Sequence, residues 1–292
     1  MLIYILSRSG SLYTTNRIYN AGISSRHNVR VIDHMECDLL IENGEYKVIY
    51  EHEELIKPDF VIPRIGSSVT FYGCTVVRHF LNMGVKVLNK PEGIINSRDK
   101  FRSLQILTEA GIRIPKTYFS NDLYYAERMV QTHLGYPFIM KVLEGTQGQG
   151  VFLVHTEEEA EHLISEHVKK RTRILLQQYI AEFSGKDIRV IVINGEIVAS
   201  MMRTAAEGDF RSNIHLGGSG KIVDLSEQEK EMAIRSVEVL GLSMAGVDIL
   251  RSSEGPMVIE VNSSPGIEGI EGVTKIPIAE ALIESIEKTV LI

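Results

Sequence analysis

Twice in this chain an Asn-Gly pair separates two strand-like runs, and these pairs constrain the fold more than any other feature. Asn43-Gly44 lies between Asp38–Glu42 and Glu45–Tyr50, and Asn194-Gly195 lies between Asp187–Ile193 and Glu196–Arg203. The favoured two-residue hairpin turn needs positive φ at both central positions, which Asn and Gly tolerate best. Two antiparallel hairpins are therefore expected, far apart in the chain. Around the first, apolar runs at Leu2–Leu6, Val29–Ile32, Phe60–Ile62 and Val85–Leu88 alternate with helix-period stretches at Leu12–Ser25 and Tyr72–Met83. That alternation predicts a parallel sheet covered on both faces, an open α/β lobe over residues 1–92 with the hairpin inserted.

The pattern changes at Pro91 and Arg98-Asp99-Lys100. A helix is expected over Phe101–Ala110, stopped by Gly111, and Pro115 begins an extended piece. A strand at Phe138–Val142 runs into the glycine-rich Glu144–Gly150, and Val151–Val154 resumes it. Thr156 with Glu159 reads as a capping box opening the next helix. Residues 93–171 thus form a compact α+β unit. Residues 172–292 are strand-dominated: Ile174–Gln178, the second hairpin, a polar loop over Ala206–Gly220, and strands at Ala245–Leu250 and Met257–Val261. Ser226 and Glu229 cap one helix that ends near Gly241, and a last helix begins near Ile278.

Composition excludes several classes. Of 292 residues, 44% are hydrophobic and 24% charged, enough for lobes with real cores. A net charge of −7 speaks against a general nucleic-acid binder, which needs a basic face. Cys37 and Cys74 form neither a disulfide framework nor a paired-cysteine metal site, and a reducing cytoplasm fits best. The first residues, Met1–Leu6, lack a basic region and read as a strand, not a signal peptide. No apolar run approaches the roughly 20 residues of a membrane helix.

Gly145, Gly148 and Gly150 sit between two strands, where backbone N–H groups could cradle phosphate. The same pattern also describes an ordinary flexible hairpin, and no Gly-Lys-Ser/Thr ends it. Lys141 closes the strand just before this loop, so a cation projects where phosphates would sit. Lys100, at a helix start, is a second such cation. Nearer the C-terminus, Glu260 and Asn262 alternate onto one strand face. Asp248 joins them if its strand is the antiparallel neighbour. Burying ionised carboxylates among Val and Ile calls for a cation, and all-oxygen ligands suit Mg²⁺ or Mn²⁺. The other reading is an exposed sheet face whose acids are simply solvated. Arg189, Arg203 and Arg211 supply positive charge for a transferring phosphoryl group. His215 is either a proton-transfer group or a plain hydrogen-bond donor. Arg64, in the turn Pro63–Gly66, is placed to hold a substrate carboxylate or to make a structural ion pair.

Taken together, Lys141, Glu144–Gly150, Gln177–Ile180, Asp187–Arg189, Gly208–Asn213, Gly246–Asp248 and Glu260–Gly266 resemble the ATP-grasp superfamily. Within it the chain resembles the RimK-type α-L-glutamate ligases, and Ile5–Arg8 and Val61–Gly66 extend the resemblance over the whole length. The resemblance implies an ATP-grasp fold with an N-terminal pre-ATP-grasp domain. It implies ATP phosphates on Lys100 and Lys141 under a Glu144–Gly150 lid, adenine at Gln178-Tyr179, and ribose at Asp187. Gln178 stands where the family commonly has Glu, which leaves the backbone to recognise the base. Arg211, Ser212 and Asn213 would lie near the transferred phosphoryl group, with Arg203 and Arg211 stabilising its charge. Asp248, Glu260 and Asn262 would bind two Mg²⁺ or Mn²⁺ ions.

The implied reaction joins L-glutamate to an acceptor carboxylate through an acyl phosphate. The family's best-known acceptor is the C-terminus of a small-subunit ribosomal protein. Arg64, Arg189, Arg203 and His215 are the candidate substrate contacts. No nucleic acid or membrane is implied, and a homo-oligomer is left open. Two alternatives stand beside this reading: a ligase acting on a small molecule or carrier protein, and an ATP-binding regulatory protein without turnover.

Overall fold

The computed structural model of the chain describes residues 1–121, 123, 126–143, 150–212 and 217–291. Both Asn-Gly pairs form the expected turns. Asn43 and Gly44 have φ of 51° and 84°, Asn194 and Gly195 of 46° and 80°. The strands they join are Cys37–Glu42 with Glu45–Tyr50, and Lys186–Ile193 with Glu196–Thr204.

In the N-terminal lobe a parallel sheet runs in the order Asn28–Ile32, Leu2–Leu6, Phe60–Pro63, Lys86–Val87. The last strand is shorter than its apolar run, because Val85 N–H closes the preceding helix on the Phe80 carbonyl at 3.0 Å. The inserted hairpin makes its own small sheet with Glu53–Glu54. A helix over Pro91–Arg98 follows, too short to show an apolar period in the sequence. Asp99 ends it in extended conformation and caps the next helix, Lys100–Glu109, accepting from the N–H groups of Phe101 and Arg102.

The central unit is a four-stranded antiparallel sheet ordered Val151–Val154, Phe138–Val142, Ile174–Gln178, Thr117–Phe119. Its core is its own, built from residues such as Val130, Phe138, Met140, Val154, Ile164 and Leu176. Thr156 caps the helix Glu157–Lys170 as expected, accepting from Glu159 N–H. Glu159 departs from the box: its carboxylate accepts from His155 N–H at 2.7 Å, one residue before the cap. Ser226 and Glu229 form the complete reciprocal box.

The third sheet is antiparallel, ordered Ser219–Ile222, Glu196–Thr204, Lys186–Ile193, Met244–Leu250, Met257–Asn262. One face packs Ile188, Val190, Val192 and Val247 under the helix Glu227–Val239. The other face shares a core with the N-terminal lobe: Ile191, Ile193, Ala199, Met201 and Met244 meet Ile3, Ile5, Phe60 and Ile62 across the final helix, Ile278–Leu291. Nothing in the sequence patterning foretold that shared core. On this same face, by strand alternation, Asp187 and Arg189 precede Ile191, Arg203 follows Met201, and Asp248 follows Met244 and Gly246. Each strand is thus apolar at one end and charged at the other, and the site lies where the shared core stops.

Asn89 ties the lobe to the sheet. It is 1% exposed; its Nδ2 donates to the carbonyls of Met244 and Ser263, and its Oδ1 accepts from the N–H groups of Ser243 and Met244.

Candidate active site

Register brings the charged residues together. Asp187 pairs across strands with Arg203, Arg189 with Asp248, Asp248 with Glu260, and Gly246 with Asn262. Arg203 binds Asp187 through two nitrogens at 2.6 and 2.7 Å, and its NH2 reaches Asp248 Oδ2 at 2.9 Å. Arg189 grips Asp248 through Nε and NH2, the latter at 2.8 Å from Oδ2. Ser212 Oγ donates to Asp187 Oδ2 at 2.6 Å. Gly246 makes room for this lattice: a Cβ there would lie 3.0 Å from Pro265 and 3.2 Å from Arg189.

Burial pushes the Asp248 carboxyl up, but the Arg189 and Arg203 guanidinia outweigh it and hold it below the usual carboxylate range. Burial and the neighbouring Asp248 charge push Asp187 the other way, against Arg203 and Ser212. For Arg203, burial is overcome by Asp248 and Asp187, and its proton is held more tightly than usual.

This lattice corrects one expectation. Asp248 is buried, yet the cations that answer it are Arg189 and Arg203, so its burial does not itself call for a metal. Glu260 is exposed, and among the described residues it has no ion pair within 4.0 Å. Glu260 is thus the exposed carboxylate of the two, and Asp248 the buried one. Among the described residues no three His, Cys, Asp or Glu side chains assemble into a metal cluster. The donor set Asp248, Glu260 and Asn262 nevertheless faces one way, is all oxygen, and includes a carboxylate with no protein cation on it. It fits a hard divalent ion that shares Asp248 with the arginines.

Opposite stands a set of cations. Lys141 Nζ donates to Gln177 Oε1 at 2.7 Å, and Gln177 Nε2 donates to Thr117 Oγ1 at 2.9 Å. Burial pulls the Lys141 ammonium down; Glu260 opposes this, the Lys100 charge adds to it, and Asp248 opposes it. Arg64 makes no ion pair within 4.0 Å among the described residues, so the structural pair weighed for it is not formed there. Its NH2 donates to the carbonyls of Ser264 and Pro265, at 3.3 and 2.9 Å, and burial with the adjacent Arg98 charge lowers it to about 10. Arg98 stands out in the sequence only as part of a boundary. Its NH2 donates to the Ile65 carbonyl at 2.6 Å; burial lowers its pKa and the charge of Glu260 opposes that. Gln177 stood in a motif without a role of its own, and Asn89 escaped sequence reading altogether. A buried amide in the apolar run Ile174–Gln178 was the available signal for the first; nothing marked the second.

The remaining candidates are held locally. Gln178 Oε1 accepts from Lys116 N–H at 3.3 Å, and Tyr179 donates to Ser184 Oγ. Arg211 binds Asp209 through Nε at 3.0 Å and NH2 at 2.8 Å. Gly150 meets the Val142 N–H with its carbonyl at 2.7 Å, and a Cβ there would lie 2.9 Å from Val142 Cβ. Gly145, Gly148, Asn213 and His215 lie outside the described residues.

Nearly the whole of this chain matches known family models. Residues 1–94 match the RimK PreATP-grasp domain, and residues 97–286 the RimK-like ATP-grasp domain. The chain belongs to the RimK-like ATP-grasp family. As a member of it, the chain is an ATP-dependent ligase. A probable alpha-L-glutamate ligase of Maridesulfovibrio salexigens is 47% identical over 288 residues, covering 99% of this chain and 96% of that one. One from Coxiella burnetii is 46% identical, with the same coverage. Among solved structures, the ATP-grasp ligase PsnB complexed with minimal precursor superposes with a TM-score of 0.75 at 19% identity, over 97% of this chain and 98% of that one. The RimK domain protein ATP-grasp from Sphaerobacter thermophilus gives 0.71 at 17% identity, over 98% and 99%. These likenesses establish the ATP-grasp fold with its pre-ATP-grasp domain.

Proposed function

We propose that this RimK-like ATP-grasp ligase joins the amine of L-glutamate to an acceptor carboxylate, most simply the C-terminal glutamate of a ribosomal protein. The observation that carries the reading is the imbalance of charge. Arg189 and Arg203 are paired with Asp248 and Asp187, while Lys141, Arg98 and Arg64 have no carboxylate within 4.0 Å among the described residues. Polyanions fit such a place, and the reaction supplies several: ATP and at least one carboxylate. The 46–47% identity to probable glutamate ligases supports glutamate as the amine. The fold relative PsnB has been solved in complex with a precursor peptide and AMPPNP, in keeping with a peptide acceptor here.

In this mechanism the acceptor carboxylate attacks the γ-phosphorus of ATP and ADP leaves. The glutamate amine then attacks the acyl carbon and phosphate leaves. Lys141 and Lys100 hold phosphates, with Lys141 aimed by Gln177. Arg203, fixed by Asp187 and Asp248, presents its charge to the phosphoryl group; Asp187 thereby serves as a positioning residue, besides any ribose contact. Arg211, Ser212 and Asn213 contribute from the adjoining loop. Asp248, Glu260 and Asn262 would hold Mg²⁺ or Mn²⁺, as one or two ions, which when bound neutralises phosphate charge. Gly145, Gly148 and Gly150 would let the loop approach the phosphates. Buried, unpaired Cys37 and Cys74, whose thiols burial raises to about 12 and about 11, fit a reducing cytoplasm.

The test is incubation with ATP, Mg²⁺, L-glutamate and peptides ending in glutamate, read by mass. Glutamate-dependent ADP release with product heavier by whole glutamyl residues is expected. ADP release without any glutamyl product on peptide or small-molecule acceptors would overturn the ligase reading.

A further inference from the structure

Around Arg98 several polar atoms lack partners among the described residues. Its Nε is buried and unbonded, and so are Ser263 Oγ and Ser264 Oγ. The same loop gives its Ser264 and Pro265 carbonyls to Arg64, whose charge is adjacent to that of Arg98. Two guanidinia with an orphaned donor are costly in isolation: an unsatisfied buried donor forfeits its desolvation energy, and like charges repel.

The arrangement is nonetheless rigidly built. Arg98 closes the helix Pro91–Arg98, and Gly93 in that helix packs so closely on Gly241 that a Cβ would lie 2.5 Å from the Gly241 carbonyl oxygen. The Ile65 carbonyl fixes one guanidinium nitrogen, and Asn89 fixes the Ser263 carbonyl. A constellation whose own groups leave donors unpaired among the described residues, and which is held from several sides, is organised for a ligand.

We propose that Arg98, with Arg64 beside it, holds a carboxylate of the acceptor substrate, a role that rests on the ligase reading above. Two arguments of placement favour a carboxylate of the acceptor over a nucleotide phosphate. The phosphate side already has Lys141 and Lys100, which come from the central unit and the helix leading to it. Arg64 comes from the N-terminal lobe, and the carbonyls that orient it belong to the loop after Asn262. A guanidinium fork matches a carboxylate or a phosphate in paired hydrogen bonds, which lysine cannot reproduce, so the placement and not the fork selects the acceptor. Glu260 links the two places, since its charge bears on both Arg98 and Lys141. A carboxylate at Arg98 therefore sits beside the phosphoryl group that Lys141 would hold. There its oxygen forms the bond to γ-phosphorus as the bond to the ADP oxygen breaks, ADP leaving with that electron pair.

The experiment compares wild type, Arg98→Lys and Arg98→Gln on a peptide ending in glutamate, its C-terminal amide, and the peptide ending in glutamine. With ATP, Mg²⁺ and L-glutamate, the KM for peptide should rise about tenfold to hundredfold in Arg98→Lys, a lost charge-assisted hydrogen bond, while the KM for ATP stays within about twofold. Binding with a non-hydrolysable ATP analogue gives the ligand-side control. Wild type should prefer the acid over one of the two amides, which identifies the α- or the side-chain carboxylate, and Arg98→Gln should lose that preference. Thermal unfolding shows that the variants are folded. A preference for acid that persists in both variants, or a KM for ATP that rises as much as that for peptide, overturns the assignment of Arg98 and leaves the ligase reading standing. A wild type that binds the peptide acid yet forms no glutamyl product overturns the ligase reading instead.

Discussion

The third sheet and the central sheet face the same site but carry charge in opposite ways. In the third sheet Asp187, Asp248, Arg189 and Arg203 neutralise one another, Ser212 joins them, and the sheet continues into a core shared with the N-terminal lobe. In the central sheet Lys141 leans on a neutral amide, and the unit keeps a core to itself. The first arrangement is complete without ligand. The second carries a part-buried cation with no carboxylate within 4.0 Å among the described residues. The floor of the site is thus preorganised, and on the proposed reading the Lys141 side would gain its counter-charge with the nucleotide.

The largest effect should come from breaking the floor. Asp248→Ala leaves Arg189 and Arg203 facing each other with one carboxylate fewer, and removing one partner of a buried ion pair costs about 3–5 kcal/mol. Activity and thermal stability should fall together. Glu260→Gln, directly across the strand pair, should abolish metal-dependent ADP formation while unfolding shifts by no more than about 0.5 kcal/mol, because its exposed carboxylate makes no ion pair within 4.0 Å among the described residues. Equal loss of stability in both variants would erase the distinction between a structural and a ligand-facing carboxylate on this sheet.

Next in size is Lys141→Met. Because burial disfavours its charge, removing it should leave the ligand-free protein as stable as before, or more so, while affinity for a non-hydrolysable ATP analogue drops about tenfold or more. Calorimetric titration and a melting curve without nucleotide measure the two quantities. Lost stability with unchanged nucleotide affinity would make Lys141 a structural donor to Gln177 and reverse the contrast between the sheets.

Sequence reading reached the parts of this picture that local rules govern. Asn-Gly turns fixed both hairpins, and strand alternation placed Glu260 with Asn262 and, through antiparallel register, with Asp248. Its position at a helix start offered Lys100 as a second cation, and the family resemblance supplied the ribose role of Asp187. What escaped was what depends on packing between distant segments. Asn89 binds residues more than 150 positions away, and Arg98 gains meaning only beside Arg64. The same limit explains why Asp248 suggested a metal: its arginines are neighbours across strands, and burial seen in one strand does not reveal what lies on the next.

The smallest effect tests the floor through acid. The arginines hold the Asp248 carboxyl below its usual range, so the unfolded chain binds its proton at higher pH than the folded protein does. Between those two values the unfolded state carries the extra proton, and stability therefore rises with pH there. The contribution is fully present above the ordinary carboxylate value of about 3.9 and is lost as pH falls through the lower folded value. Such a group adds a slope of at most about 1.4 kcal/mol per pH unit within that window. Asp187, pushed up by burial and by Asp248, acts in the opposite sense: its term is full below its unfolded value and fades as pH rises through its folded one. Urea unfolding of wild type and Asp248→Asn from pH 5 downward separates the two. The variant should start less stable and lose less on acidification, because the group that carried the slope is gone. A variant whose acid limb parallels that of wild type would place the acid sensitivity elsewhere and show that the lattice is held by geometry more than by charge.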